Sequence, residues 1–266
     1  MTHWGPGDIA WQAFDPSRLD AEVLKVVKAA AMVERNAGDY THYLKAVFRA
    51  EPAFLAIAES WQAEEEQHGE VLGRYAAMAD PAFDFHRRFR RFVDGYRIPL
   101  DIAGSVRGSL TGELLARCIV ETGTSSMYSA LRDATAEPVL KDICHRIAGD
   151  EFRHYKMFYR LMQDLAKRER IHLLRRVLVA IGRIREADDD ELAYAWFAAN
   201  EPFDATYDRA ACAKAYSARA FRHYRDKHAE RAVNMILKAV GLDPQSWLAA
   251  KAKTYAKRKM LALAAA

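Results

Sequence analysis

Trp61-Gln-Ala-Glu-Glu-Glu-Gln-His68-Gly69 and Ile147-Ala-Gly-Asp-Glu-Phe-Arg-His154 are the two stretches whose reading decides the fold. Each holds a Glu-x-x-His pair, Glu65 with His68 and Glu151 with His154. The i, i+3 spacing sets both side chains of a pair on one face of a helix. One such pair is a weak signal, because surface helices produce it often. Here the surroundings repeat as well. Ala50-Glu51-Pro52 returns as Ala136-Glu137-Pro138, and Glu65 with His68 returns as Glu151 with His154, both at an offset of 86. Glu34 returns as Glu121 at an offset of 87. Two helical hairpins therefore carry the same polar residues in register.

The six residues also match in depth. Glu34 lies 18 residues before Pro52 and Glu65 lies 13 after it; Glu121 lies 17 before Pro138 and Glu151 lies 13 after it. At about 1.5 Å rise per residue, all six can meet at one level of an antiparallel bundle. Glu34, Glu65 and His68 interrupt apolar stripes, and a buried carboxylate must be paired or bound to a cation. One Glu from each of two helices plus Glu-x-x-His from each of two others is the di-metal carboxylate pattern of helical bundles. Four carboxylates and two imidazoles suit two ions of iron or manganese, whereas zinc favours fewer carboxylates and a closed tetrahedral shell.

Outward from these motifs the chain reads as all-α. Hydrophobic residues make up 51% of its 266 residues, and glycine (13) and proline (8) are scarce. Core helices are expected at about 18–50, 52–79, 107–134 and 138–168, with a long connection at 82–105 punctuated by Gly95, Pro99 and Gly104. A C-terminal helical extension follows, at about 170–186, 188–200, 204–240 and 245–262, in a single domain. No apolar run reaches membrane-spanning length. The N-terminus lacks the basic start and apolar block of a signal peptide. Cys118, Cys144 and Cys212 form no C-x-x-C pair, against a disulfide framework or a thiolate zinc site. These features predict a cytoplasmic protein. His3, His42, His86, His145, His172, His223 and His228 are expected as surface or hydrogen-bonded helix residues.

The motifs resemble those of the soluble acyl-acyl-carrier-protein desaturases, within the ferritin-like superfamily. Trp61 to Gly69 is similar to that family's W-x-A-E-E-x-x-H-G segment, Ile147 to His154 to its I-A-x-D-E-x-R-H segment, and Glu121-Thr-Gly-Thr124 to its E-x-x-T segment. Glu34 precedes Tyr40 by six residues, as the first ligand precedes a tyrosine there. The resemblance covers roughly residues 30–165. It implies a ferritin-like four-helix bundle, a homodimer, and a non-haem di-iron centre with Glu34, Glu65, His68, Glu121, Glu151 and His154 as ligands. It implies oxygen-dependent desaturation of a fatty-acyl chain on acyl-carrier protein, fed by a ferredoxin-type electron donor. Asp150 carries over as the acceptor behind a ligating imidazole, Trp61 as a residue just behind the ligands, and Thr124 as the hydroxyl beside the oxygen-binding face. Where the plant enzymes have a histidine one turn after Thr124, this chain has Tyr128.

Other di-iron chemistries share this pattern: oxidation or hydroxylation of a small apolar molecule, ferroxidase or iron handling, and a radical role with Tyr40, Tyr128 or Tyr155. Forty basic and 36 acidic residues leave a net charge of +4. The excess is local: Arg87, Arg88, Arg90, Arg91 and Arg97 crowd one segment, and further clusters lie around 167–176 and 251–259. No nucleic-acid motif accompanies them. They are solvated helix faces or a docking surface for an acidic carrier, with Arg87, Arg88, Arg90 and Arg91 the first candidates.

Overall fold

The structure, a computed structural model, describes residues 3–98, 102, 104–185 and 190–265. These residues are helical throughout, with no strand among them. After three short 3-10 turns come α1 (Ala21–Arg35), α2 (Ala37–Val47), α3 (Pro52–Ala79), α4 (Phe85–Gly95), α5 (Leu110–Ala134) and α6 (Pro138–Glu169). The rest is α7 (Leu173–Arg185), α8 (Asp190–Asn200), α9 (Arg209–Phe221), α10 (Asp226–Val240) and α11 (Trp247–Ala264). Pro52 and Pro138 open α3 and α6, where a missing N–H costs nothing. Glu137 caps α6 by accepting from Val139 and Leu140, and Asp20 caps α1 in the same way.

Helix α1 packs along α3 and α5 along α6, and the C-terminal helices close around them: α8 on α1, α7 and α10 on α5. The interior forms two apolar layers. One gathers Val26, Val27, Met32, Leu72, Tyr75, Leu131, Ile143 and Ile147. The other gathers Leu44, Phe48, Phe54, Trp61, Leu114, Cys118 and Phe158. On every one of these long helices the predicted ligands fall between the two layers, forming a buried polar waist. Gly69 lets that waist close: a Cβ there would stand 2.5 Å from the Arg35 backbone nitrogen.

Three expectations are corrected. The single helix at 18–50 is two, broken at Asn36, whose N–H bonds Val33 O at 3.0 Å in a tight i→i−3 turn. The connection at 82–105 contains α4, capped by Asp84 and held by buried Phe85 and Phe92. The helix at 204–240 is split into α9 and α10. Pro99 and the helix ends expected at 186 and 188 lie outside the described residues. All three cysteines are buried and free. No described helix is long and apolar enough to cross a membrane.

Candidate metal centre

The polar waist brings all six predicted ligands together. Ligand atoms of Glu34, Glu65, His68 and Glu151 lie within 4.8 Å of one another, and so do those of Glu65, Glu121, Glu151 and His154. All six residues are buried. The two sets share Glu65 and Glu151, one from each Glu-x-x-His pair. Each set adds a histidine and one further glutamate. Each set could hold a metal ion.

The imidazoles are oriented alike. His68 turns Nδ1 inward, 3.3 Å from Glu65 Oε2 and 3.3 Å from Glu151 Oε1. Its Nε2 faces Asp150 Oδ2 at 3.1 Å. His154 turns Nδ1 to Glu65 Oε1 at 3.1 Å, and its Nε2 faces Glu64 Oε2 at 2.9 Å. An Nε2–H donated outward leaves the Nδ1 lone pair for a cation. Arg153 spans Glu64 and Asp150 and donates to both. The Trp4 indole donates to Asp150 Oδ2 at 2.7 Å.

Other side chains fix the carboxylates. Tyr128 donates to Glu34 Oε1 at 2.5 Å. Thr124 donates to Glu151 Oε2 at 2.5 Å, so its hydroxyl lies on a ligand carboxylate. Arg117, partly buried one turn before Glu121, donates to Glu121 Oε1 at 2.6 Å. The Arg117 guanidinium in turn sits 4.7 Å over the Trp61 ring.

Burial strains these charges. It raises Glu34 well above the usual carboxylate range, and the charges of Glu65 and Glu151 add to the rise. Burial and the Glu65 charge push Glu151 up to about 8. Burial would raise Glu65 too, but His154 and His68 hold it well below that range. Burial opposes protonation of both histidines, yet both are raised: His68 by Asp150, Glu151 and Glu65, His154 by Glu65, Glu121 and Glu64. Without a cation the waist thus neutralises itself with protons.

A cation fits better. Glu151 Oε1 and His154 Nδ1 are buried, and their contacts with His68 and Glu65 at 3.3 and 3.1 Å are not aligned as hydrogen bonds, a poorly satisfied state that a metal bond would relieve. The buried carboxylates and two imidazoles could thus hold a metal ion.

Several residues were not anticipated from the sequence. Glu64 carried a signal: the repeat that maps Glu65 to Glu151 maps it to Asp150. Arg117 is spaced to reach Glu121 at i+4. Trp4 had no local signal, since its partner is 146 residues away. Of the predicted docking arginines, Arg88 and Arg91 donate to backbone carbonyls at the end of α8 and beyond it, Arg91 to Glu201 O at 2.8 Å and Pro202 O at 2.8 Å. Arg87 and Arg90 are exposed, with the Arg87 guanidinium over the Phe203 ring. Tyr40 donates to Glu191 on α8 at 2.6 Å and Tyr155 to Met235 O at 2.8 Å.

No family model matches the chain, and no curated protein matches it. Fold and site together define an all-helical protein with a buried glutamate–histidine cluster that could hold metal.

Proposed function

We propose that the chain is a ferritin-like, non-haem di-iron oxidoreductase that desaturates a fatty-acyl chain carried on acyl-carrier protein. The observation that carries the di-metal part is the pair of overlapping ligand sets sharing Glu65 and Glu151. Desaturation rests on the resemblance of the Trp61–Gly69, Glu121–Thr124 and Ile147–His154 segments to the acyl-carrier desaturases.

Glu34 and His68 would hold one ion, Glu121 and His154 the other, with Glu65 and Glu151 between them. Bound iron supplies the redox chemistry that reduces dioxygen. The chain's own residues do the rest. Asp150 and Glu64 hold the imidazoles with Nε2 protonated. Tyr128, Thr124 and Arg117 fix carboxylate oxygens of Glu34, Glu151 and Glu121. The two apolar layers keep bulk water from the waist. Overall, one acyl chain loses two hydrogens; dioxygen takes these with two protons and two electrons from a ferredoxin-type donor and leaves as two waters. A homodimer is part of this reading, and Arg87 and Arg90 are the residues left exposed to meet an acidic carrier.

The test is aerobic incubation of the reduced, iron-loaded protein with a panel of acyl-carrier proteins, followed by product mass analysis. Loss of two hydrogens supports desaturation. Gain of oxygen assigns hydroxylation, and iron oxidation with the acyl chain unchanged assigns a ferroxidase. In the same assay Arg87→Glu with Arg90→Glu should raise KM for the carrier-bound substrate and leave metal content unchanged. The effect should shrink as salt screens it over roughly 8–10 Å. An unchanged KM places the carrier elsewhere.

A further inference from the structure

Helix α7 packs only part of its apolar surface on the protein, through Ala180, Val177 and Val179. Its sequence, Leu173-Leu-Arg-Arg-Val-Leu-Val-Ala-Ile-Gly-Arg-Ile-Arg185, is strongly amphipathic. The residue it buries is Ala180. Leu174 is 69% exposed, Leu178 56% and Ile181 41%, and Leu173 and Ile184 are exposed beside them. Leu174, Leu178 and Ile181 form one stripe at i, i+4 and i+7. At 3.6 residues per turn, Ala180 lies about 120° round the helix from Leu174. The stripe therefore faces away from the contact that holds α7 in place.

Within α7 every charge is basic. Residues 170–185 contain Arg170, Arg175, Arg176, Arg183 and Arg185 and no aspartate or glutamate, although Glu169 precedes them and Glu186, Asp188, Asp189 and Asp190 follow. A second basic stretch lies near the C-terminus. Helices α7 and α11 each pack on α10, and the Arg176 guanidinium closes on Gly241, just ahead of α11. Residues 245–266 hold Lys251, Lys253, Lys257, Arg258 and Lys259, again with no acidic residue. The exposed side of α11 mixes Lys251 and Arg258 with Trp247, Tyr255 and Leu261, which are 66%, 69% and 72% exposed.

We propose that α7 is an interfacial helix that seats the protein on an anionic lipid bilayer. A helix with an outward apolar stripe and exposed arginines beside it, here Arg175 and Arg185, lies in the headgroup plane: the aliphatics enter the acyl boundary and these guanidiniums meet lipid phosphates. Long arginine side chains bury their stems while their charged ends stay at the surface. Exposed tryptophan and tyrosine nearby suit the same boundary. The proposal does not depend on the metal centre or on the acyl substrate.

The test is flotation of the full chain with phosphatidylcholine vesicles and with equimolar phosphatidylcholine–phosphatidylglycerol vesicles. The wild type should float with the anionic vesicles and stay behind with the neutral ones, and added salt should lower the bound fraction. Leu178→Glu with Ile181→Glu should reduce binding to the neutral-vesicle level. Because both positions are exposed, its circular dichroism and its mass by light scattering should match the wild type. Wild-type protein that ignores the anionic vesicles, or a variant that binds them as well as the wild type, overturns the proposal. So does a variant whose oligomeric mass falls, which would assign the stripe to contact between copies.

Discussion

Glu64 and Asp150 occupy equivalent places in the two halves of the repeat, and each holds the histidine of the other half. Glu64 on α3 meets His154 of α6 at 2.9 Å, and Asp150 on α6 meets His68 of α3 at 3.1 Å. Arg153 then bridges the two carboxylates. The hairpins are thus crossed at the level of the site, and each imidazole is aimed by the helix opposite its own.

Removing either acceptor should loosen metal binding without removing a ligand. Glu64→Gln and Asp150→Asn keep the size and drop the charge. Each should lower metal affinity by roughly 10–100-fold, the usual effect of losing a carboxylate behind a ligating histidine. Competition titration against a chelator reads this directly. Unchanged affinity in both variants would make the two contacts packing only.

The ligands were legible because they repeat: two offsets, 86 and 87, locate all six. Pro52 and Pro138 fixed helix starts because their chemistry is local. The break at Asn36 was not legible, since no proline or glycine marks it and α1 and α2 are separated by one residue. Helix α4 had a signal in Phe85, Phe89 and Phe92 at helical spacing, masked by the glycines and proline after it. Trp4 on Asp150 and Glu191 on Tyr40 join segments remote in sequence. Only tertiary packing brings them together.

Arg117 should matter most when metal is absent. It is 12% exposed and paired with Glu121, itself 1% exposed. Arg117→Met leaves that carboxylate without its partner, and breaking a buried pair costs about 3–5 kcal/mol. Cations beside Glu121 would offset much of this. The expected result is a large drop in Tm for the chelated variant and a smaller one after loading with iron. Equal drops in both states would separate Arg117 from the metal site.

Gly69→Ala should strike both stability and the site. Its Cβ would meet the Arg35 backbone at 2.5 Å, beside Glu34 and His68. Overpacking of this kind costs about 1–3 kcal/mol, and moving α1 from α3 separates ligands. Gly149→Ala, with nothing within 4 Å of its added carbon, is the control. Thermal melts and metal content of both variants check this; equal behaviour would contradict the tight contact.

Metal uptake should release protons, and the metal-free protein should lose stability as pH rises. Glu34, Glu151, His68 and His154 are all raised when folded, Glu151 to about 8. A raised group stabilises fully below its unfolded value, near 4.5 for the glutamates and 6.5 for the histidines, and loses that contribution as pH climbs through the folded value. Chelated protein should therefore melt lower at pH ~8 than at pH ~6, with the difference reduced by metal, whose binding requires deprotonated ligands. Calorimetry in buffers of different ionisation enthalpy measures the protons released. No release near neutral pH would mean that the ligands are already bare.

The central claim is two ions bridged by Glu65 and Glu151, and anomalous diffraction from iron-loaded crystals tests it most directly. The account predicts two anomalous peaks per chain, roughly 3.5–4 Å apart as in other two-metal sites, both touching Glu65 and Glu151. One should also touch Glu34 and His68, and the other Glu121 and His154. A single peak, or two peaks that do not share the Glu65 and Glu151 carboxylates, would contradict it.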